Sequence, residues 1–163
     1  MAGVKLSYSL MYDGDPRAAA DQVAGLERAG IDVVWVAEAY EVPLEAGANC
    51  VVVAGRRDGE ERVAACVVRA DTRADVNNLV KRMLDVRKCS FLSMDRAVEE
   101  SGMEYGGITP VGLPDHWRLL VDSRAAELDL ALIGSGVRRS KLLLPGPLLA
   151  ELPRAEVVDD LAR

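Results

Sequence analysis

"CVVVAGRRDGEERVAACVVRA", residues 50–70, is the stretch that decides the fold class. Two Val-rich runs flank GRRDGEE, residues 55–61, and the pattern is that of a β-hairpin. Helical signals stand on both sides of it. Helices and a hairpin in one chain predict an α/β protein with a mixed sheet rather than a regular βαβ array.

Upstream, "DGDPRAAADQVAGLERAG" (13–30) places Asp15 as N-cap, Pro16 at the first helical position and Gly30 as the stop of a helix. "IDVVWVAEAY" (31–40) reads as a strand running into a turn. Downstream, "TRADVNNLVKRMLDV" (72–86) predicts a helix capped by Asp71 or Thr72, with Leu79, Val80, Met83 and Leu84 facing inward. A short strand at 88–93 precedes a helix at 93–102. Ser93 caps that helix, Arg96 and Glu100 pair across one turn, and Gly102 ends it. Strands follow within 117–123, 126–136 and 138–146, then a short helix from Pro147 and a last strand or tail.

The chain has 163 residues, enough for one domain with a sizeable core. Half of them are hydrophobic, yet only 4% are aromatic, so the core is built from Val, Leu, Ile and Ala. Net charge is −6, which disfavours diffuse binding to nucleic acid. Contact with an RNA would run through local clusters: Arg56-Arg57, the stretch from Lys81-Arg82 to Arg87-Lys88, and Arg138-Arg139-Lys141. Three cysteines without CxxC spacing and a lone His116 supply no zinc set, so no metal and no cofactor is expected. Cys50 and Cys66 read as buried thiols of a reducing compartment. No run reaches the roughly 18 apolar residues of a membrane span, and no signal-peptide pattern opens the chain, so the cytoplasm is the expected location.

Glycine carries the functional signal. "MEYGGITPVGLP" (103–114) sets Gly106-Gly107 and Gly112 among two prolines, and Gly134-Ser135-Gly136 stands near another strand end. Glycine removes the Cβ that would keep backbone away from a ligand. Two such loops in one small domain suggest a small-molecule or chain-terminus pocket between them. Neither loop has a phosphate-binding fingerprint. His116, Asp95 and Glu104 read as surface or helix-end residues. Ser135 has no histidine at an obvious distance, so a serine-hydrolase triad is not supported.

From about Glu38 onward the chain resembles the YbaK/EbsC family, the prolyl-tRNA-synthetase-associated domain that removes wrong amino acids from transfer RNA. "GANCVVVAG" (47–55), "LDVRKCSFLSMDRAVEESGMEYGGITPVGLP" (84–114) and "IGSGVRRSKLLLPG" (133–146) carry the resemblance. It implies a single YbaK/ProX-like α/β domain with a mixed, strongly curved sheet and flanking helices. It also implies hydrolysis of the ester of a mischarged aminoacyl-tRNA. The partners implied are the acceptor end of that RNA and a synthetase, with no membrane. The glycine loop would line the pocket for the aminoacyl adenosine, a glycine carbonyl holding the substrate. That assigns Asn49, at the position of a family lysine, with Gly106 and Gly107 to catalysis, and Thr109, Pro110, Gly134, Ser135, Gly136 and Arg138 to substrate binding.

Two departures stand out. The family's signature lysine at the first long strand is replaced by Asn49, which keeps a neutral donor and loses a charge. A catalytically weak or inactive binding module of the same fold is therefore the alternative reading, supported also by the acidic charge. The second departure is that residues 4–40 resemble the opening of luciferase-like, F420-dependent monooxygenases. Those are (β/α)₈ barrels too long for this chain to close. The resulting division is an atypical segment, 1–40, and a deacylase-like domain, 41–163.

Overall fold

The computed structural model describes Ser7–Leu10, Val33–Ala37 and residues 46–163. The helix expected over 15–30 lies outside them.

Among the described residues, nine strands fall into two mixed sheets. The first holds β1 (Ser7–Leu10), β2 (Val33–Ala37), β8 (Ser140–Leu144) and β7 (Ala131–Gly134), in that order. The second runs β5 (Cys89–Phe91), β3 (Ala48–Arg57), β4 (Glu60–Arg69), β6 (Arg118–Asp122), β9 (Ala155–Val158). In the first, β1 and β2 are parallel and the other pairs antiparallel. In the second, β4–β6 and β6–β9 are parallel while β3 pairs antiparallel with β4 and β5. One parallel bridge, Gly47 to Leu132, joins the start of β3 to β7. The mixed character matches the sequence reading, but the strands divide between two sheets instead of forming one.

The hairpin is tighter than its sequence suggests. Its strands continue to Arg57 and Glu60, leaving only Asp58-Gly59 as the turn. Both residues have positive φ, 51° and 88°, which is the backbone a two-residue hairpin needs to match the twist of its strands. Neither long strand alternates in polarity, because both faces of the sheet are covered. Val63, Ala65 and Val67 join Trp117, Leu119 and Leu149 on one side. Ala64, Cys66 and Val68 join Val80, Leu84 and Leu161 on the other. A strand buried on both faces reads as a continuous apolar run.

The segment after β4 departs from its expected form. A π-helical stretch, Val76–Val80, continues into one α-turn, Lys81–Met83. Its cap is Asp75, whose carboxylate accepts the Asn78 N–H, and not Asp71 or Thr72. Thr72 instead donates its hydroxyl to the Arg69 carbonyl at 2.9 Å. Val76, Val80 and Leu84 are buried while Leu79 and Met83 are only half-buried, since the wider π-turn rotates the inward face. The helix Met94–Ser101 forms and ends at Gly102, with φ 69°, as expected, while Ser93 holds the N-cap position without a capping hydrogen bond from its side chain. Arg96 ties it to the hairpin, donating to Glu61 at 2.7 Å and, through Nε, to Glu100 at 3.0 Å. The Arg96 hydrogen bond holds the Glu61 carboxyl below its ordinary range.

Asp122, 1% exposed at the end of β6, locks the chain's last turn. It accepts the Ala162 N–H at 2.8 Å, the Arg124 N–H at 3.0 Å and the Arg124 Nε at 3.1 Å. Removing a buried carboxylate strands two backbone donors and a guanidinium. Asp122→Ala is therefore expected to lower stability by about 3 kcal/mol, read as a shift in the urea unfolding midpoint.

Candidate functional site

A cavity of about 590 Å³ opens where β3 and β7 meet beneath the glycine loop. One wall is the start of β3, Gly47 to Val52. Leu132, Ile133 and Gly134 of β7 form another, with Lys141 of β8 beside them. Met94 and Ala97 of the helix close one side, and Tyr105, Gly106 and Ile108 form the roof. Phe91 and Tyr105, both exposed, stand among the lining residues.

The roof stays in place through backbone. The Gly136 N–H donates to the Gly107 carbonyl at 2.8 Å, and the Glu104 N–H donates to the Gly136 carbonyl at 2.8 Å. The Arg138 N–H donates to Glu104 Oε2 at 2.7 Å. The two glycine loops thus form one unit. Glycine is required at their contact: a Cβ on Gly107 would lie 2.6 Å from the Val137 carbonyl carbon, and one on Gly134 would lie 2.4 Å from the Ile108 oxygen. Gly106 and Gly136 are needed for another reason, having φ 78° and 88° in comparatively open space.

The residues singled out from the sequence divide accordingly. Asn49, exposed at the entry of β3, lines the cavity together with Gly106 and Gly134. Gly107 is buried behind them against Val137, so bulk there displaces the loops before it meets a ligand. Thr109 and Pro110 are buried under the roof, Thr109 donating its N–H to the Met103 sulfur at 3.4 Å. Ser135 spends its hydroxyl inside its own loop, donating to the Ser140 carbonyl at 3.0 Å. Gly136 is half-buried in the lock, and Arg138 is exposed with its guanidinium 5.9 Å from the centre of the Tyr105 ring. His116 and Asp95 are exposed away from the cavity lining.

The residue missed by sequence reasoning is Lys141. Its Nζ donates to the Gly106 carbonyl at 3.2 Å, and among the described residues it is the only charged side chain in the lining. In the sequence it was visible only as part of a basic cluster. Strand pairing turns it inward while Arg138 and Arg139 stay exposed.

Among the described residues, no carboxylate and no imidazole lines the cavity. Its one thiol, Cys50, is pushed up to about 12 by burial, so it is not a thiolate near neutral pH. Among the described residues no three His, Cys, Asp or Glu side chains group to hold a metal ion. No helix among them is long and apolar enough to cross a membrane. What remains is a set of donors and one carbonyl, suited to orienting an already activated group.

The profile of the aminoacyl-tRNA editing domain matches residues 30–152, well over half of the chain. The chain belongs to this editing-domain family. Solved structures agree in fold. A hypothetical protein is 23% identical over 94% of this chain and 89% of its own, with a TM-score of 0.65. A proposed trans-editing enzyme for prolyl tRNA synthetase is 19% identical over 89% of this chain and 96% of its own, with a TM-score of 0.66. A proposed signal transduction protein from Marinobacter aquaeolei VT8 is 18% identical, with a TM-score of 0.54; the match takes in 78% of this chain but 27% of that one. The likeness of residues 4–40 to luciferase-like monooxygenases finds no support. The editing-domain match itself begins at residue 30, and β2 pairs with β8 in one sheet.

Gly134→Ala is expected to destabilise the fold by about 2 kcal/mol, because two backbones must separate to admit the methyl group. Gly106→Ala, strained only in φ, is expected to cost about 1 kcal/mol. Chemical denaturation of the two variants side by side checks the order.

Proposed function

We propose that the chain hydrolyses the ester of mischarged aminoacyl-tRNA, with the aminoacyl adenosine entering the cavity between β3 and β7. The observation that carries this reading is the lining of that cavity. It offers the Asn49 amide, the Gly106 carbonyl and glycine backbone, and it lacks a nucleophile poised to attack. Membership of the editing-domain family supports it. An aminoacyl ester is already activated, so holding it for attack by water and stabilising the developing oxyanion are sufficient tasks. The apolar floor of Val52, Leu92 and Ile133 favours an uncharged side chain. Gly107, Thr109, Pro110, Ser135 and Gly136 then serve as the frame that fixes this roof, and Arg138 as a contact for the RNA.

The test is a deacylation assay over a panel of mischarged transfer RNAs. Turnover of at least one ester well above its spontaneous rate is expected. The second reading is a binding module that engages the same acceptor end or a synthetase without turnover, with residues 1–40 as an atypical segment before the domain. It is favoured by the uncharged Asn49, and tight binding with no turnover on the whole panel would establish it.

The RNA contact has to work against a net charge of −6. Affinity is expected to fall with salt along a shallow slope, on the order of two to four phosphate contacts. Reversing the exposed Arg138 and Arg139 to Glu should weaken all transfer RNAs alike, which filter binding across a salt series would show.

A further inference from the structure

We infer that Lys141 is the anion-binding group of the cavity, receiving the negative charge that develops on the ester carbonyl oxygen during hydrolysis. This rests on the editing reading above and deepens it. The ammonium is the only formal charge in the lining among the described residues, and no carboxylate lines the cavity with it. It forms no ion pair with any of them. One of its three N–H groups is spent on the Gly106 carbonyl, and no other acceptor among the described residues takes the remaining two. A cation beside apolar walls with no fixed counter-charge among the described residues gains most from an anion that arrives there.

Strand register explains why this ammonium faces the reaction. Lys141 pairs with Gly134 across β7 and β8. Laterally paired residues present their side chains on one face. Gly134 and Lys141 therefore form one row, and Gly134 has no side chain to cover the ammonium. A Cβ at Gly134 would meet the Ile108 oxygen, so that row faces the glycine loop.

In the step assigned here, water adds to the ester carbonyl carbon and the π electrons move to the carbonyl oxygen. The ammonium donates a hydrogen bond to that oxyanion and keeps its proton. Collapse re-forms the carbonyl and breaks the bond to the ribose oxygen, which leaves with a proton from the attacking water. The products are the free amino acid and the RNA hydroxyl.

Three adenosine probes test this: the 3′-alanyl ester, its unreactive 3′-alanylamide, and a 3′-linked phosphonate that carries the tetrahedral anion. Lys141→Met is expected to lower kcat on the ester about 10²-fold while KM moves less than about threefold. It is expected to weaken the phosphonate by a similar factor and the amide by less than about threefold. Lys141→Arg, which keeps the charge, should restore most of the phosphonate affinity, and both variants should melt with the parent. Equal loss of amide and phosphonate, or a fall in melting temperature that Arg does not repair, would make Lys141 a tie for Gly106 and overturn the inference. A Lys141→Met effect seen with whole transfer RNA but with none of the adenosine probes would assign the ammonium to an RNA phosphate, also overturning it. The two proposals fail separately. Ester hydrolysis undiminished in Lys141→Met leaves editing standing and removes Lys141. No hydrolysis by the parent, with the phosphonate still held through Lys141, removes editing and leaves the anion site.

Discussion

Two backbones in direct contact hold this site together. Gly107 lies against Val137, and Gly134 against Gly107 and Ile108, at separations that no side chain could share. The hydrogen bond from Gly136 to Gly107 joins the loops at that contact. The roof of the cavity is consequently set by main chain and not by long side chains, which lose more rotamer freedom when fixed. Because Gly134 belongs to β7, the roof is referenced to the first sheet. The pocket is the gap left where the sheets part after the Gly47–Leu132 bridge.

A site made this way does limited chemistry. It offers donors, one carbonyl and one ammonium, and its thiol is held protonated by burial. Such a set cannot supply a histidine-activated nucleophile. It can orient a reactive ester and meet the charge that forms on it, the task proposed for an editing domain. Asn49 on β3 is uncharged, and the charge in the described lining sits on Lys141 of β8, in the other sheet.

How much of this could be read from the sequence depends on the range of the interaction. The hairpin, the helix closed by Gly102 and the glycine stretches were legible because their signals lie within a few residues of one another. The Asp58-Gly59 turn was legible in kind but not in extent, since the strands continue through charged residues that pair across the ladder as Arg56–Glu61 and Arg57–Glu60. The π-turn at Val76–Val80 was not legible, as a helical pattern does not state how many residues its turns contain. Asp75 as cap followed from that shifted start. Among the site residues, Asn49, Gly106 and Gly134 were found in the cavity wall. Gly107 was singled out for contact with a ligand, but its lack of a Cβ serves the contact with Val137, a partner 30 residues away. Lys141 was hidden for the same reason: only the pairing of β7 with β8 distinguishes it from the exposed arginines beside it.

The most direct test of the central claim is to map where an aminoacyl adenosine sits. Backbone amide shifts can be followed by NMR in a chain of this size as the unreactive 3′-alanylamide of adenosine is added. Saturable shifts concentrated at Ala48–Val52, Tyr105–Ile108, Leu132–Gly134 and Lys141 are the predicted result. Shifts concentrated instead around Asp75–Arg82 and the chain's last residues, or none at any concentration, would contradict the account.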